Sequence, residues 1–171
     1  MSDPHTLYKL IILYMLKKID FSMTNSQISS FILEKGYTNY FTLQSVLSAL
    51  TESGLVHQET IQNSSFYTIT PEGENTIGFF ENNISQSIRD EIDEYLKENK
   101  LQLRNEVSVV ADYYRNTAGE IAVRCRVKEK HSDLIDLTLT VPDEAHAKAI
   151  CNQWQKKCQT VYEYIMKELM Q

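Results

Sequence analysis

The chain has no lysine or arginine anywhere between Thr38 and Ser65, and its first 80 residues carry four lysines against seven carboxylates. Phosphate neutralisation supplies nearly all non-specific affinity for DNA, so any nucleic-acid contact made by that stretch must rest on uncharged polar groups. Cys125, Cys151 and Cys158 are odd in number and form no CxxC, which argues against a disulfide framework and for the reducing cytoplasm. No apolar run reaches spanning length and no signal-peptide pattern opens the chain, so a soluble, unexported protein with no membrane contact is expected. A glycine-rich phosphate loop and a nucleophile elbow are both missing, and His5, His57, His131 and His146 show no metal-ligand spacing. Catalysis, a cofactor and a metal are therefore not expected.

What is present is 171 residues with 42% hydrophobic content, enough to bury a real core in one extended domain or two small ones. The stretch from Asn39 to Gly73 organises the rest. Leu43, Val46, Leu47 and Leu50 form the apolar stripe of an amphipathic helix, and Gly54 supplies a left-handed stop just past it. Leu55 to Thr60 and Phe66 to Thr70 read as two strands joined by a turn over Ile61 to Ser65, with Pro71 closing the second. A lone hairpin is marginal in water and needs helices behind it. Asp3 and Pro4 open a first helix, but Ile12, Leu13, Met15 and Leu16 make it apolar almost all round, so the second half of the chain or a second copy must cover it. On that ground a homodimer is expected. Thr24 and Gln27 have capping-box spacing and start a second helix, which carries Ile28, Phe31 and Ile32 inward and ends at Gly36. Only Tyr37, Thr38 and Asn39 then separate it from the third.

This order of helix, capped helix, tight turn, helix, Gly-Leu-Val and hairpin, closed by YTITPEG, resembles the winged helix-turn-helix of PadR-like transcriptional regulators. The run TNSQISSFILEKGYTNYFTLQ is similar to an uncharacterised winged-helix family of Gram-positive bacteria, itself PadR-like. The resemblance covers Leu7 to about Leu96 and implies a DNA-binding regulator. Fold alone does not fix function, so the residues must carry the rest.

The uncharged polar residues of such a surface are Asn25, Ser26 and Gln27 at the start of the second helix and Asn39, Tyr40, Thr42, Gln44, Ser45 and Ser48 on the third. His57, Gln58, Gln62, Asn63, Ser64 and Ser65 lie on the hairpin, of which Gln62, Asn63 and Ser64 are the candidates for DNA contact. Glutamine reads adenine bidentately, while Ser, Thr, Tyr and helix N-termini hold phosphates. Lys17, Lys18 and Lys35 are the outlying cations available for phosphate grip. The competing reading of the same residues is a solvated face.

Downstream, Pro71 starts a helix through Ile77 and Phe80, and a longer one runs from about Ser85 to Lys100 with Ile84, Ile88, Ile92 and Leu96 inward. The polar stretch Lys100 to Asn105 reads as a domain boundary. Beyond it the period changes to two, on strands carrying Val107 to Tyr113, Ile121 to Val127 and Ile135 to Val141, with turns at Asn116 to Gly119 and His131 to Asp133. Arg124, Arg126 and Lys128 occupy the wet face of the middle strand. Asp143 then caps a long helix whose stripe Ile150, Trp154, Cys158, Val161, Ile165 and Leu169 covers the other face. The expected fold is α+β, with a winged helix-turn-helix over 1–82, a connecting helix over 83–104 and a βββα dimerisation or sensor domain over 105–171. Three functions stay open: a cytoplasmic dimeric regulator that binds double-stranded DNA, a protein-interaction module that has kept the fold without nucleic acid, and a sensor with a small-molecule effector between the domains.

Overall fold

In the computed structural model, which describes residues 3–129 and 132–171, the chain is mixed α+β with two three-stranded antiparallel sheets. It divides into two compact units, Met1–Thr60 with Ser64–Arg104, and Ile61–Asn63 with Asn105–Gln171. His131, at the start of the turn expected over His131 to Asp133, lies outside the described residues.

Helix α1 (Pro4–Lys17) opens where the Asp3 carboxylate accepts from the His5 N–H, and every residue from Leu10 to Leu16 is buried. Its cover comes from its own unit. Helices α3 (Tyr40–Glu52) and α4 (Pro71–Phe80) and strand β3 (Ser64–Ile69) pack on it, and the Tyr14 hydroxyl donates to Asp93 at 2.7 Å. The all-round apolarity of α1 therefore supplies no reason for a second copy, and the ground given above for a dimer falls away.

Helix α2 (Asn25–Lys35) starts on a complete capping box: the Gln27 N–H donates to the Thr24 hydroxyl and the Thr24 N–H donates to the Gln27 side chain, each at 3.0 Å. The two residues before it form a strand that the sequence did not announce, β1 (Met23–Thr24), which pairs with Phe66 and Tyr67 of β3. With β2 (Val56–Ile61) this makes a sheet of order β1-β3-β2. The hairpin turn is shorter than the Ile61 to Ser65 expected, because only Gln62 and Asn63 leave the ladder, at φ 47 and 65. Positive φ at both central residues matches the right-handed twist of flanking strands, which lets β2 run on to Ile61 and β3 begin at Ser64.

The base of the hairpin is clamped. Thr70 donates its N–H to the Leu55 carbonyl at 3.1 Å and its hydroxyl to the Gly54 carbonyl at 2.7 Å, while the same hydroxyl accepts from the Gly73 N–H to cap α4. A Cβ on Gly73 would stand 2.1 Å from the Leu55 carbonyl oxygen. Backbone cannot yield that far without moving the helix.

Helix α5 (Gln86–Ser108) runs past its expected end at Lys100 and continues without a break through the polar stretch Lys100 to Asn105, although the two units still divide between Arg104 and Asn105. Its buried residues Ile92, Leu96, Leu103 and Val107 keep a seven-and-four spacing that holds one face, so the polar residues between them are its solvent side rather than a linker. Val107 therefore lies in the last turn of a helix and not on a strand. Two tyrosines tie α5 to the first unit, Tyr14 through Asp93 and Tyr37 through Glu91, and the Phe31 and Tyr95 rings pack at 4.5 Å between centroids.

In the second unit β4 (Val109–Arg115), β5 (Ile121–Lys128) and β6 (Asp133–Val141) form a sheet in that order, covered on one face by α6 (Glu144–Leu169). Val123, Cys125, Ala147 and Trp154 are its centre, and the Trp154 N–H donates to the Arg126 carbonyl at 3.0 Å. Burial pushes the Cys125 thiol up to about 11, which keeps it protonated. The stripe on α6 stops short of the expected Leu169, which is 80% exposed because the helix is longer than the strands it covers. The opposite face is less wet than expected. Arg124 forms a two-bond ion pair with Asp136, at 2.9 and 2.7 Å, and Val110 and Ala122 beside it are buried. The hairpin tip Ile61–Asn63 belongs to this unit, and the Gln62 N–H donates to Asp112 on that same face at 3.2 Å.

Two predictions follow from these contacts. Gly73→Ala should cost about 1–3 kcal/mol in denaturant unfolding through overpacking against Leu55, whereas Gly78→Ala, whose nearest neighbour would be the Lys17 ammonium at 4.0 Å, should be neutral or stabilising. Equal effects at the two glycines would contradict the close approach. Burial and the carboxylate partners hold the Tyr14 and Tyr37 hydroxyls above their ordinary value of 10.0. The neutral phenols are thus the form the fold prefers, so their contribution is complete below pH 10 and is lost as the pH rises beyond it. Alkaline unfolding should be less steep in the Tyr14→Phe, Tyr37→Phe double variant, and an unchanged pH profile would refute the assignment.

Candidate nucleic-acid interface

The surface expected to meet DNA is built where α2 starts, where α3 starts, and along the β2–β3 hairpin. The Asn39 side chain accepts from the Thr42 N–H at 2.9 Å and so serves as the cap of α3. Leu43, Val46, Leu47 and Leu50 face the core. The opposite side presents Tyr40, Phe41, Ser45 and Ser48 to solvent, with Thr42 half-buried.

Four further candidates, Asn25, Gln27, Gln44 and Gln62, are engaged in other work. Gln44 forms a paired amide contact with Asn25, accepting from the Asn25 Nδ2 at 2.7 Å and donating its own Nε2 to the Asn25 Oδ1 at 3.0 Å. The Ser29 hydroxyl donates to the same Oδ1 at 2.9 Å, and the Asn25 Nδ2 also points to the Tyr67 hydroxyl at 3.5 Å. Both ends of the Gln44 amide are satisfied inside the protein, so a bidentate adenine contact would require opening this pair. Gln27 is 7% exposed, closes the capping box and donates its Nε2 to the Leu103 carbonyl at 3.3 Å, which removes it from the surface altogether. Gln62, with Asn63 beside it in the turn, donates its N–H to Asp112. Of the first group only Ser26 is exposed, and Ser64 is exposed at the start of β3. Gln58 donates to Ser65 across the hairpin at 3.0 Å.

Sequence reading missed Phe41, which is 81% exposed and stands against Tyr40 edge to face with ring centroids 5.9 Å apart. The signal was available: Phe41 falls off the stripe of Leu43, Val46, Leu47 and Leu50, so a helix that buries the stripe must expose it. Outlying cations lie at the edges. Lys35 is exposed in the last turn of α2, and the Lys18 ammonium sits 5.0 Å from the centre of the Tyr14 ring.

Chemically the surface combines exposed hydroxyls, two side-chain-capped helix starts and an aromatic pair. Hydroxyls and helix starts hold phosphate oxygens, and aromatics stack or bury apolar area.

The chain belongs to the family described as domain of unknown function DUF4364, which it matches over residues 8–169. Neither the curated proteins nor the solved structures contain a match to it. Among the described residues no helix is long and apolar enough to cross a membrane.

The amide pair makes its own prediction. Gln44→Ala leaves Asn25 partly unsatisfied and should cost about 1–3 kcal/mol, and a double-mutant cycle with Asn25→Ala should return a coupling of about 0.5–3 kcal/mol. Additive single effects would mean that the two amides do not depend on each other.

Proposed function

We propose that the first unit is a winged helix-turn-helix and that the protein is a dimeric DNA-binding transcriptional regulator whose third helix approaches the major groove. The observation that carries this reading is the order of parts around the exposed start of α3: a capped α2, a three-residue turn, α3 capped by Asn39, and a twisted hairpin joined to β1. Recognition helices meet base edges near their N-terminal end. There the side chains free to do so are Tyr40, Thr42, Ser45 and Ser48, with Phe41 beside them, and Gln44 instead fixes the angle between the two helices through Asn25. Ser26 and the N-termini of α2 and α3 take phosphates. With so few cations near, binding is modest and depends little on salt.

A second reading has its own support. An aromatic pair with Phe41 at 81% exposure, on a helix without a Lys or Arg, suits the buried centre of a protein interface, where aromatics are enriched and charges depleted. Under it the same face docks a protein.

Mobility-shift titration on a duplex from upstream DNA at two salt concentrations separates them. The regulator reading expects wild type to bind with a salt slope shallower than that of a protein making about 6–10 phosphate contacts, and Thr42→Lys to tighten binding to all sequences while adding about one to the slope. If neither protein shifts DNA at any salt, α3 does not enter the groove and the protein-docking reading replaces it.

A further inference from the structure

The order β4-β5-β6 leaves β6 as an edge strand, and edge strands of monomeric proteins are usually blunted by lysine, proline, short length or bulges. Strand β6 is nine residues long and has no Lys, Arg or Pro between Asp133 and Val141. Its register against β5 shifts once, between Val127 and Lys128, where Leu134 is the extra residue. The bulge is thus confined to the start, and Ile135 to Val141 is a regular ladder. On the face shared with α6 this segment carries Ile135, Leu137, Leu139 and Val141, yet Leu139 is 42% exposed. On the other face it carries Asp136, Thr138 and Thr140, with the Asp136 charge held by Arg124 from the neighbouring strand.

We propose that β6 pairs with β6 of a second copy, antiparallel about a two-fold axis at Thr138, to form one six-stranded sheet. Side chains alternate with a period of two, so apolar faces continue across such a junction only if the axis passes through a residue. An axis at Thr138 pairs the whole regular segment and nothing beyond it. Ile135 then stands opposite the partner's Val141, Leu137 opposite the partner's Leu139, Asp136 opposite the partner's Thr140, and the two Thr138 residues face each other. Apolar meets apolar, threonine meets threonine, and the two Asp136 carboxylates are kept about 14 Å apart along the strands. That self-complementarity selects a second copy over an unrelated strand, and it covers Leu139. The pairing is isologous and closes as a dimer. It is independent of what α3 recognises, so a failed DNA titration leaves it standing.

Sedimentation equilibrium of the full chain at micromolar concentration tests it, with two variants. Wild type should be a dimer, and Leu139→Lys should weaken dimerisation about tenfold or more, because an ammonium would be buried without a partner, while its circular dichroism spectrum stays that of the folded wild type. Thr138→Cys should give a covalent dimer on copper-phenanthroline oxidation that wild type does not give, since residues facing across an antiparallel pair have Cα atoms within disulfide reach. A monomeric wild type would overturn the proposal and leave the edge to a strand of another protein. A Leu139→Lys protein as dimeric as wild type, or a Thr138→Cys protein that does not cross-link, would equally overturn it.

Discussion

Seven consecutive buried residues, Leu10 to Leu16, leave helix α1 with no solvent side, and that requirement arranges the first unit. A surface helix can be satisfied by one neighbour; a helix apolar all round must be enclosed. Here α3, α4 and β3 close round it, and α5 completes the work through Tyr14 and Asp93. Because the cover is intramolecular, the hairpin base must be brought close to α4, which is why a glycine stands at position 73 against the Leu55 carbonyl. The face of α3 that points away from α1 is then fixed as the side that meets solvent.

The same enclosure decides which polar residues remain available. Asn25 and Gln44 sit where α2 and α3 meet, and in a half-buried position two amides that satisfy each other are worth more than two that wait for a ligand. Gln27 is taken by the capping box and by Leu103. What is left on α3 is a set of hydroxyls around Tyr40 and Phe41. Under the proposed function, such a surface would grip phosphate through neutral donors and cover apolar area with rings, in contrast to readers that depend on arginine and lysine.

Much of the architecture could be read from residue order, because its signals are local. The capping box at Thr24 and Gln27, the stripe on α3, the positive-φ stops at Gly36 and Gly54, and the alternation in β5 are each written within about ten residues. Failures came where a distant partner decides. Nothing near Gln44 in the chain announces Asn25, nineteen residues away, and nothing near Gln27 announces the carbonyl of Leu103. Likewise the helix expected to stop at Lys100 continues to Ser108, because Leu103 and Val107 are buried on the face begun by Ile92 and Leu96. Strand β1 is two residues long and exists only because β3 lies beside it. The exposed Phe41 was the exception, a local signal left unread.

The account turns on the exposed start of α3 being the surface that meets DNA. The direct measurement is a titration of nitrogen-15-labelled protein with a short duplex at low salt, followed through the backbone amide resonances. It predicts shifts gathered at Tyr40, Phe41, Thr42, Ser45 and Ser48 together with Ser26, with the resonances of α6 unmoved. Amides of α3 that stay in place at about 1 mM duplex, above the ordinary range of non-specific dissociation constants, would contradict it.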